Sequence, residues 1–352
     1  MVEGWGDAFM LRGATGCLAR PQSVRAGTSG MGMSAMLSLS CSIVIPTRDR
    51  AQPLWECLAS IARQSRLPCE VILVDASDEP ATRELATGLD GRFVCPLRYL
   101  PAAAKSLVTQ RWQGIGAAAG DVILFLDDDV VLERDYISEV VRVFEEDTSG
   151  EIGGVGGLTE AGYSPPSPLN ALLLRVFVGP MRGSYAGRVV GPAVAFFPAA
   201  TPEGTHNVEW LHGADMAYRR QALLAEPCWE GFRGYSFLED LHLSARVGRK
   251  YRLVITTGAR LAHKGLGMAG TPDWAELGES MVVNRHATMH VLQRRRVQDY
   301  VRFVAYELLY WTAAQIRNPQ PGWREKLQML RGKLRGFGKL LRGRSPHRAY
   351  LT

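Results

Sequence analysis

Two hydrophobic periods take turns along the chain. Cys41-Ser-Ile-Val-Ile-Pro46 is a short apolar run stopped by proline, the mark of a buried strand. Leu54, Trp55, Leu58 and Ile61 then recur at helical spacing and predict a helix over 52–65. Glu70–Asp75 reads as a second buried strand and 79–89 as a second helix, Arg98–Leu100 as a short third strand and 106–119 as a third helix. Asp121–Leu126 is a fourth strand, it runs into Asp127-Asp128-Asp129, and 133–146 is again helical. Strand and helix alternating at this spacing predict βαβ units: an α/β fold with a mainly parallel sheet flanked by helices. No internal repeat is visible.

The pattern changes after Gly150. Ile152–Leu158 reads as a strand interrupted by glycine, and 162–207 is rich in Gly and Pro without a clear period. A stretch of that length in a compact domain is expected to be a lid or binding loop. Regular structure is predicted to return at Val208–Leu211, in a helix near Arg219, in the segment Phe237–Val247, and as helix from 284 to the end. Residues 1–40, rich in Gly, Ser, Ala and Met, are expected to be a disordered extension. Three parts follow: the extension 1–40, a domain over 41–283 with halves 41–150 and 151–283, and a helical tail over 284–352.

Composition narrows the class. The hydrophobic share of 46% and charged share of 22% are those of a folded globular chain. Charge-free runs such as 189–202 are too short for a membrane-spanning helix. No basic segment followed by an apolar one opens the chain, so no standard export signal is expected. The six cysteines form no CxxC pair, which argues against a zinc ribbon and fits a reducing, cytoplasmic setting. The net charge of +6 conceals a division: residues from Arg285 onward carry 15 Lys and Arg against 3 Asp and Glu, so the body before them is acidic. A basic tail on an acidic body points to a negatively charged partner surface.

The strand-terminal carboxylates are the first candidates for chemistry. Ligands of open parallel sheets bind beyond the carboxyl ends of the strands, where Asp75 and Asp127–Asp129 fall. Three adjacent carboxylates repel one another unless a cation shares the site. Helix capping by Asp128 or Asp129 is the plainer alternative. A hard divalent cation, Mn²⁺ or Mg²⁺, held by carboxylates together with substrate phosphates suits the set better.

In order and spacing, Ser42-Ile-Val-Ile-Pro-Thr-Arg-Asp-Arg50, Val71–Asp75, Gln110-Arg-Trp-Gln-Gly114 and Phe125–Asp129 closely resemble the blocks of family 2 glycosyltransferases. Trp210-Leu-His-Gly-Ala-Asp-Met-Ala-Tyr-Arg-Arg220 resembles that family's acceptor-side block, and Phe237-Leu-Glu-Asp240 its Glu-Asp motif. The resemblance covers about residues 41–265. It implies a GT-A (Rossmann-like) fold, a nucleotide-sugar donor with UDP favoured, a glycan or lipid-linked acceptor, and inversion at the anomeric carbon. By the same resemblance Pro46, Thr47 and Arg50 line the nucleotide pocket and Asp75 accepts a hydrogen bond from the base. Ala76 stands where the family commonly has a second acidic residue, which leaves the base open. Arg111 and Lys105 are implied to face the diphosphate or order the loop around it, Asp127 and Asp128 to meet the donor, and Asp127, Asp129 and His263 to hold the metal. Asp240 is implied as the base, with Glu239 as its orienting neighbour; His212, Gly213 and Asp215 fall at the acceptor. His242 is expected on a helix surface and Trp210 in the core.

In the tail, Trp323, Leu327, Leu330, Leu334, Phe337 and Leu341 form an apolar stripe among Arg and Lys, the signature of a helix lying in a membrane interface. This predicts a peripheral protein at the inner face of a membrane, binding anionic lipid through 323–342. Gly332, Gly336 and Gly338 weaken the isolated helix, so it is expected to form on contact with lipid. Packing of the tail on the domain or on another subunit is the alternative. Nucleic acid is not an expected partner, since no aromatic-interleaved motif is present. Two rival functions remain. Ile123-Leu-Phe-Leu-Asp-Asp-Asp-Val-Val131 also fits the motif of haloacid-dehalogenase-type phosphatases, with Asp127 as nucleophile and Asp129 beside it. Against that, the motif follows three βα units instead of opening its domain. The other rival is a non-catalytic sugar-nucleotide binder.

Overall fold

The computed structural model describes residues 38–159, 167–179, 184–198, 203–228, 231–232, 236–267, 273–310 and 321–343. The predicted extension therefore lies outside the described residues except for 38–40. Those three are tied down: Ser40 donates to Asp121 and Leu39 N–H to Glu145.

The predicted βα alternation is present. Strands β1 (Cys41–Thr47), β2 (Glu70–Asp75), β3 (Leu97–Pro101) and β4 (Val122–Phe125) are parallel, and helices α1 (Ala51–Ala62), α2 (Ala81–Leu89) and α3 (Leu107–Ala117) connect them. Strands β1, β2 and β4 are buried on both faces, so their apolar runs are continuous, while the edge strand β3 is partly exposed. Side chains of alternating parity feed two cores. Ile43, Ile45, Val71, Leu73, Val122 and Leu124 join α1, α2 and α4 (Tyr136–Glu146) on one side. Val44, Ile72, Val74, Ile123 and Phe125 join α3 on the other.

The second half completes a nine-stranded sheet, β3-β2-β1-β4-β10-β6-β11-β5, with β9 (Thr205–Val208) paired to β11. Here β5 is Val130–Leu132, β6 Ile152–Thr159, β10 Met216–Arg219 and β11 Arg252–His263. Strand β10 is antiparallel to both its neighbours and β5 is antiparallel to β11, so the sheet is mixed yet mainly parallel. The second core cluster extends along these strands to α6 (Arg220–Leu224) and α7 (Glu239–Val247).

Three expectations need correction. The stretch 162–207 contains α5 (Pro168–Phe177), with its N-cap Ser167, and the hairpin β7 (Val189–Val190) and β8 (Val194–Ala195); residues 160–166, 180–183 and 199–202 lie outside the described residues. The strand expected at Val208–Leu211 ends at Val208. The division after residue 283 falls inside α8 (Trp274–Val291), which starts at Asp273, a side-chain cap for Ala275 and Glu276 N–H.

After α8 the chain forms α9 (Val297–Ala305), a π-helical turn (Tyr306–Tyr310) and α10 (Trp323–Leu341). Helix α10 packs along α8 through glycine. A Cβ on Gly332 would overlap the Ala275 carbonyl, and one on Gly278 the Met329 carbonyl. Gly332 and Gly336, expected to make α10 dependent on lipid, instead let it dock on the domain. The apolar stripe divides: Phe337 packs inward against Phe303, while Trp323, Leu327, Leu334 and Leu341 stay 71%, 38%, 55% and 88% exposed.

A larger side chain in the seam forces the two helices apart. Gly332→Val is expected to cost about 1–3 kcal/mol and lower the thermal midpoint measured by circular dichroism. An unchanged midpoint would refute the glycine-mediated docking.

Candidate active site

Strand order reverses between β1 and β4, and the crevice so created opens at their carboxyl ends. The chain leaves β4 through Leu126, whose N–H donates to Val44, and Asp127, whose N–H donates to Ala214. The next three carboxylates take different directions. Asp128 turns inward and spans the crevice: Thr47 Oγ1 donates to it at 2.7 Å and Arg50 Nη1 at 3.2 Å. Burial pushes its carboxyl up to about 6 against those two partners. It caps no helix, since the N-cap position of α4 is Asp135.

Asp129 faces His263, the last residue of β11, with Nε2 3.1 Å from Oδ1. Burial opposes its charge, but bonds from His263 and the Leu266 N–H prevail and hold the carboxyl below the usual range. The same contact raises the His263 imidazole above its ordinary value. Asp127, Asp129 and His263 each offer a ligand atom, all within 4.8 Å of one another. Two carboxylates and one imidazole are a donor set that fits a divalent cation such as Mn²⁺ or Mg²⁺.

Arg111 organises the other wall. Its Nη1 meets Glu239, its Nη2 donates to the Gly213 carbonyl at 2.7 Å, and Nη2 is 3.2 Å from Asp127. Glu239, expected as an orienting neighbour of Asp240, is buried and engages Arg111. Asp240 is half-buried in the first turn of α7, where Oδ2 accepts Gly213 N–H at 3.1 Å and Oδ1 accepts its neighbour Leu241 N–H. The helix starts from Leu238 in the left-handed conformation (φ 66°), which turns Glu239 and Asp240 back toward the cleft. Asp127, Arg111, His212, Gly213, Glu239 and Asp240 line one cleft.

Residues 42–201 match the model of the family described as Glycosyl transferase family 2. Over those residues the chain is similar to that family. It is similar to the uncharacterized glycosyltransferase YwdF of Bacillus subtilis (strain 168), 31% identical over 117 residues, which are 30% of this chain and 39% of that protein. The chain thus spans well under half the length of this relative. Among solved structures it resembles GalNAc-T7 (TM-score 0.53, 13% identity, 72% of this chain and 48% of that one). It also resembles S. aureus TarS (TM-score 0.50, 14% identity, 84% of this chain and 48% of that one). The likeness is one of fold, and the fold is GT-A.

Several other residues singled out by the family 2 motifs are outside that cleft lining. Asp75 ends β2 with its carboxylate already engaged: Ser77 N–H and Oγ donate to Oδ1, and Tyr99 Oη donates to Oδ2. Lys105 is exposed and pairs with Asp78 on the same rim. Pro46 and Thr47 are buried in β1. Asp215 lies beneath the cleft floor, where it accepts from Gly157 N–H and Tyr136 Oη, and burial raises its carboxyl to about 6. His212 bridges the two levels, with Nδ1 3.8 Å from Asp215 and its ring 5.7 Å from that of His263. Trp210 is in the core, as expected. His242 is not on a surface: it is 1% exposed, against Phe232 and Thr288, because the buried stripe of α7 continues through it. Phe197, Phe237, Arg285 and Tyr306 also line the cleft and were not singled out, although Phe237 opens the Glu-Asp motif. They lie in the aperiodic stretch, in the Glu-Asp block and in the segment counted as tail.

Asp129→Ala removes one donor and the anchor of His263. Its affinity for Mn²⁺ is expected to fall about tenfold or more, read by calorimetric titration of the metal. Unchanged affinity would count against the assignment of the ligands.

Proposed function

We propose that the protein is a metal-dependent glycosyltransferase that moves a sugar from a nucleotide-diphosphate donor to a glycan or lipid-linked acceptor. The match of residues 42–201 to the family 2 model supports this reading. The observation that carries it is the cleft, whose lining includes both Asp127, a member of the Asp127–Asp129–His263 donor cluster, and the half-buried carboxylate of Asp240. UDP is the first nucleotide to test, since the GalNAc-T7 structure holds UDP and Mn²⁺.

A divalent cation bound by Asp127, Asp129 and His263 supplies charge neutralisation for the leaving diphosphate. Asp240 accepts the proton of the acceptor hydroxyl, whose oxygen forms the new bond to the anomeric carbon. The bond from that carbon to the diphosphate oxygen breaks, and its electron pair leaves with the nucleoside diphosphate. A single displacement of this kind inverts the anomeric configuration. The two backbone N–H groups on Asp240 fix the direction of its carboxylate. Glu239 acts through Arg111, which holds Asp127 and the Gly213 turn in place. Arg50, between Asp128 and the Gly267 carbonyl, lies on the donor side.

Asp240→Asn is expected to lower transfer by about 10²–10⁴-fold while Mn²⁺-dependent UDP binding stays within twofold (~) of wild type. Comparable loss of UDP affinity would sink the base assignment. A wild type that binds nucleotide but transfers nothing to any acceptor would favour the non-catalytic binder.

We place the protein at the inner face of a membrane, held by α10. No helix among the described residues is long and apolar enough to cross a bilayer. The outward stripe of Trp323, Leu327, Leu334 and Leu341 runs beside exposed Arg324, Arg331, Arg335 and Arg342, the arrangement of an interfacial helix. Co-sedimentation with phosphatidylglycerol vesicles is expected, weakened by salt and lost in Trp323→Glu/Leu334→Glu. Equal sedimentation of the double variant would dismiss α10 as the contact.

A further inference from the structure

His286 and His290 take no part in the cleft. They stand four residues apart in α8, which places both imidazoles on one face of the helix. Their ring centres are 4.5 Å apart and the ring planes are tilted by 43°. The Nδ1 atom of each is buried and meets no hydrogen-bond partner among the described residues. An unpartnered buried nitrogen costs stability, and two of them on neighbouring rings call for a shared occupant.

The other nitrogen of His290 is engaged, since its Nε2 lies 3.0 Å from Tyr300 Oη on α9. When the Nε2 proton goes to that oxygen, the lone pair falls on Nδ1 and the ring is held in direction, the support that a metal-ligating histidine needs. Burial pushes the His286 imidazole down to about 4, and burial together with Arg295 holds His290 below its ordinary value, so both rings are neutral at pH 7. The spacing fits an ion. A metal about 2.1 Å from one nitrogen of each ring stands about 3.2 Å from each ring centre, so two rings at a right angle around it have centres about 4.5 Å apart. The donors are neutral nitrogens beside a cationic arginine, so a hard ion held by charge, Mg²⁺ or Mn²⁺, gains little there. A borderline ion bound through imidazole suits the pair, and Zn²⁺ and Ni²⁺ are of that kind.

We propose that His286 and His290 form a second metal site, selective for transition ions of the zinc kind and distinct in its residues from the Asp127–Asp129–His263 cluster, with water completing the coordination shell. Bound there, the ion clips the last turns of α8, the helix on which α10 docks. This goes beyond the glycosyltransferase reading and does not depend on it. Zn²⁺ and, separately, Mn²⁺ are titrated calorimetrically into the full chain after chelator treatment. The chains compared are wild type, Asp129→Ala/His263→Ala, which removes cleft ligands, and the latter with His286→Asn or His290→Gln added.

Wild type is expected to take up a second Zn²⁺ beyond that in the cleft, and Mn²⁺ in the cleft alone. Asp129→Ala/His263→Ala is expected to keep the second Zn²⁺, and addition of either histidine change is expected to weaken it about tenfold or more. Zn²⁺ is also expected to raise the thermal midpoint of Asp129→Ala/His263→Ala by mass action, an effect lost with either histidine. Zn²⁺ binding that disappears with the cleft ligands overturns the proposal, and that arm needs no change in α8. Zn²⁺ held undiminished after both histidine changes overturns it as well. Mn²⁺ bound as tightly as Zn²⁺ in Asp129→Ala/His263→Ala overturns the choice of metal. A wild type that binds neither Mn²⁺ nor any nucleotide, with the zinc on α8 intact, would sink the glycosyltransferase reading alone.

Discussion

Three consecutive carboxylates at the end of a buried central strand cannot share one environment. Their mutual repulsion in a poorly solvated crevice has to be met by separate partners. The fold meets it by sending each to a different part of the chain: Asp127 to Arg111 on α3, Asp128 to Thr47 and Arg50 after β1, Asp129 to His263 at the end of β11. The Asp128 and Asp129 contacts also join elements far apart in sequence. Arg111 carries the link on to Glu239 and Gly213 and so fixes where α7 begins. The crevice between the two halves of the domain is held largely by the charges that equip it for chemistry.

The start of α7 shows the cost of this arrangement. Ser236 and Leu238 both have positive φ, a conformation that disfavours side chains and costs roughly 1–3 kcal/mol per residue. Burial of Leu241 and His242 on the helix and the bond from Arg111 to Glu239 offset it. Asp240 is thereby carried on a rigid helical turn whose direction is set by strain and burial together, with its two oxygens fixed by backbone donors.

Much of this was legible in the residues. Strands β1, β2 and β4 are apolar runs because both faces are buried, and helices announce themselves by period, so the βα order from 41 to 146 was plain except for the short β5. The acidic triplet could be singled out because it stands at a strand end, whereas His263 and Asp240 came from the resemblance to family 2. What could not be read was pairing across distance. Nothing local tells that Glu239 turns to Arg111 or that Asp215 is buried under Tyr136. His242 looks like a surface residue until Phe232 and Thr288 are brought against it. The stretch 162–207 hid α5 and a hairpin because their partners, α9 and the π-helical turn, come more than a hundred residues later. Glycines that weaken α10 as an isolated helix proved to be its docking face, since only tertiary contact assigns them that use.

The seam between α8 and α10 has a wider implication. Close approach there is achieved by missing side chains, with backbone lying against backbone, so attachment of α10 is encoded in a few small residues on one side. The opposite side takes no part in that contact and is free to change its sequence without loosening the helix. Docking and surface character are thus written on separate faces of one element. A lineage could exchange arginines and leucines on the outer face without refolding anything beneath it.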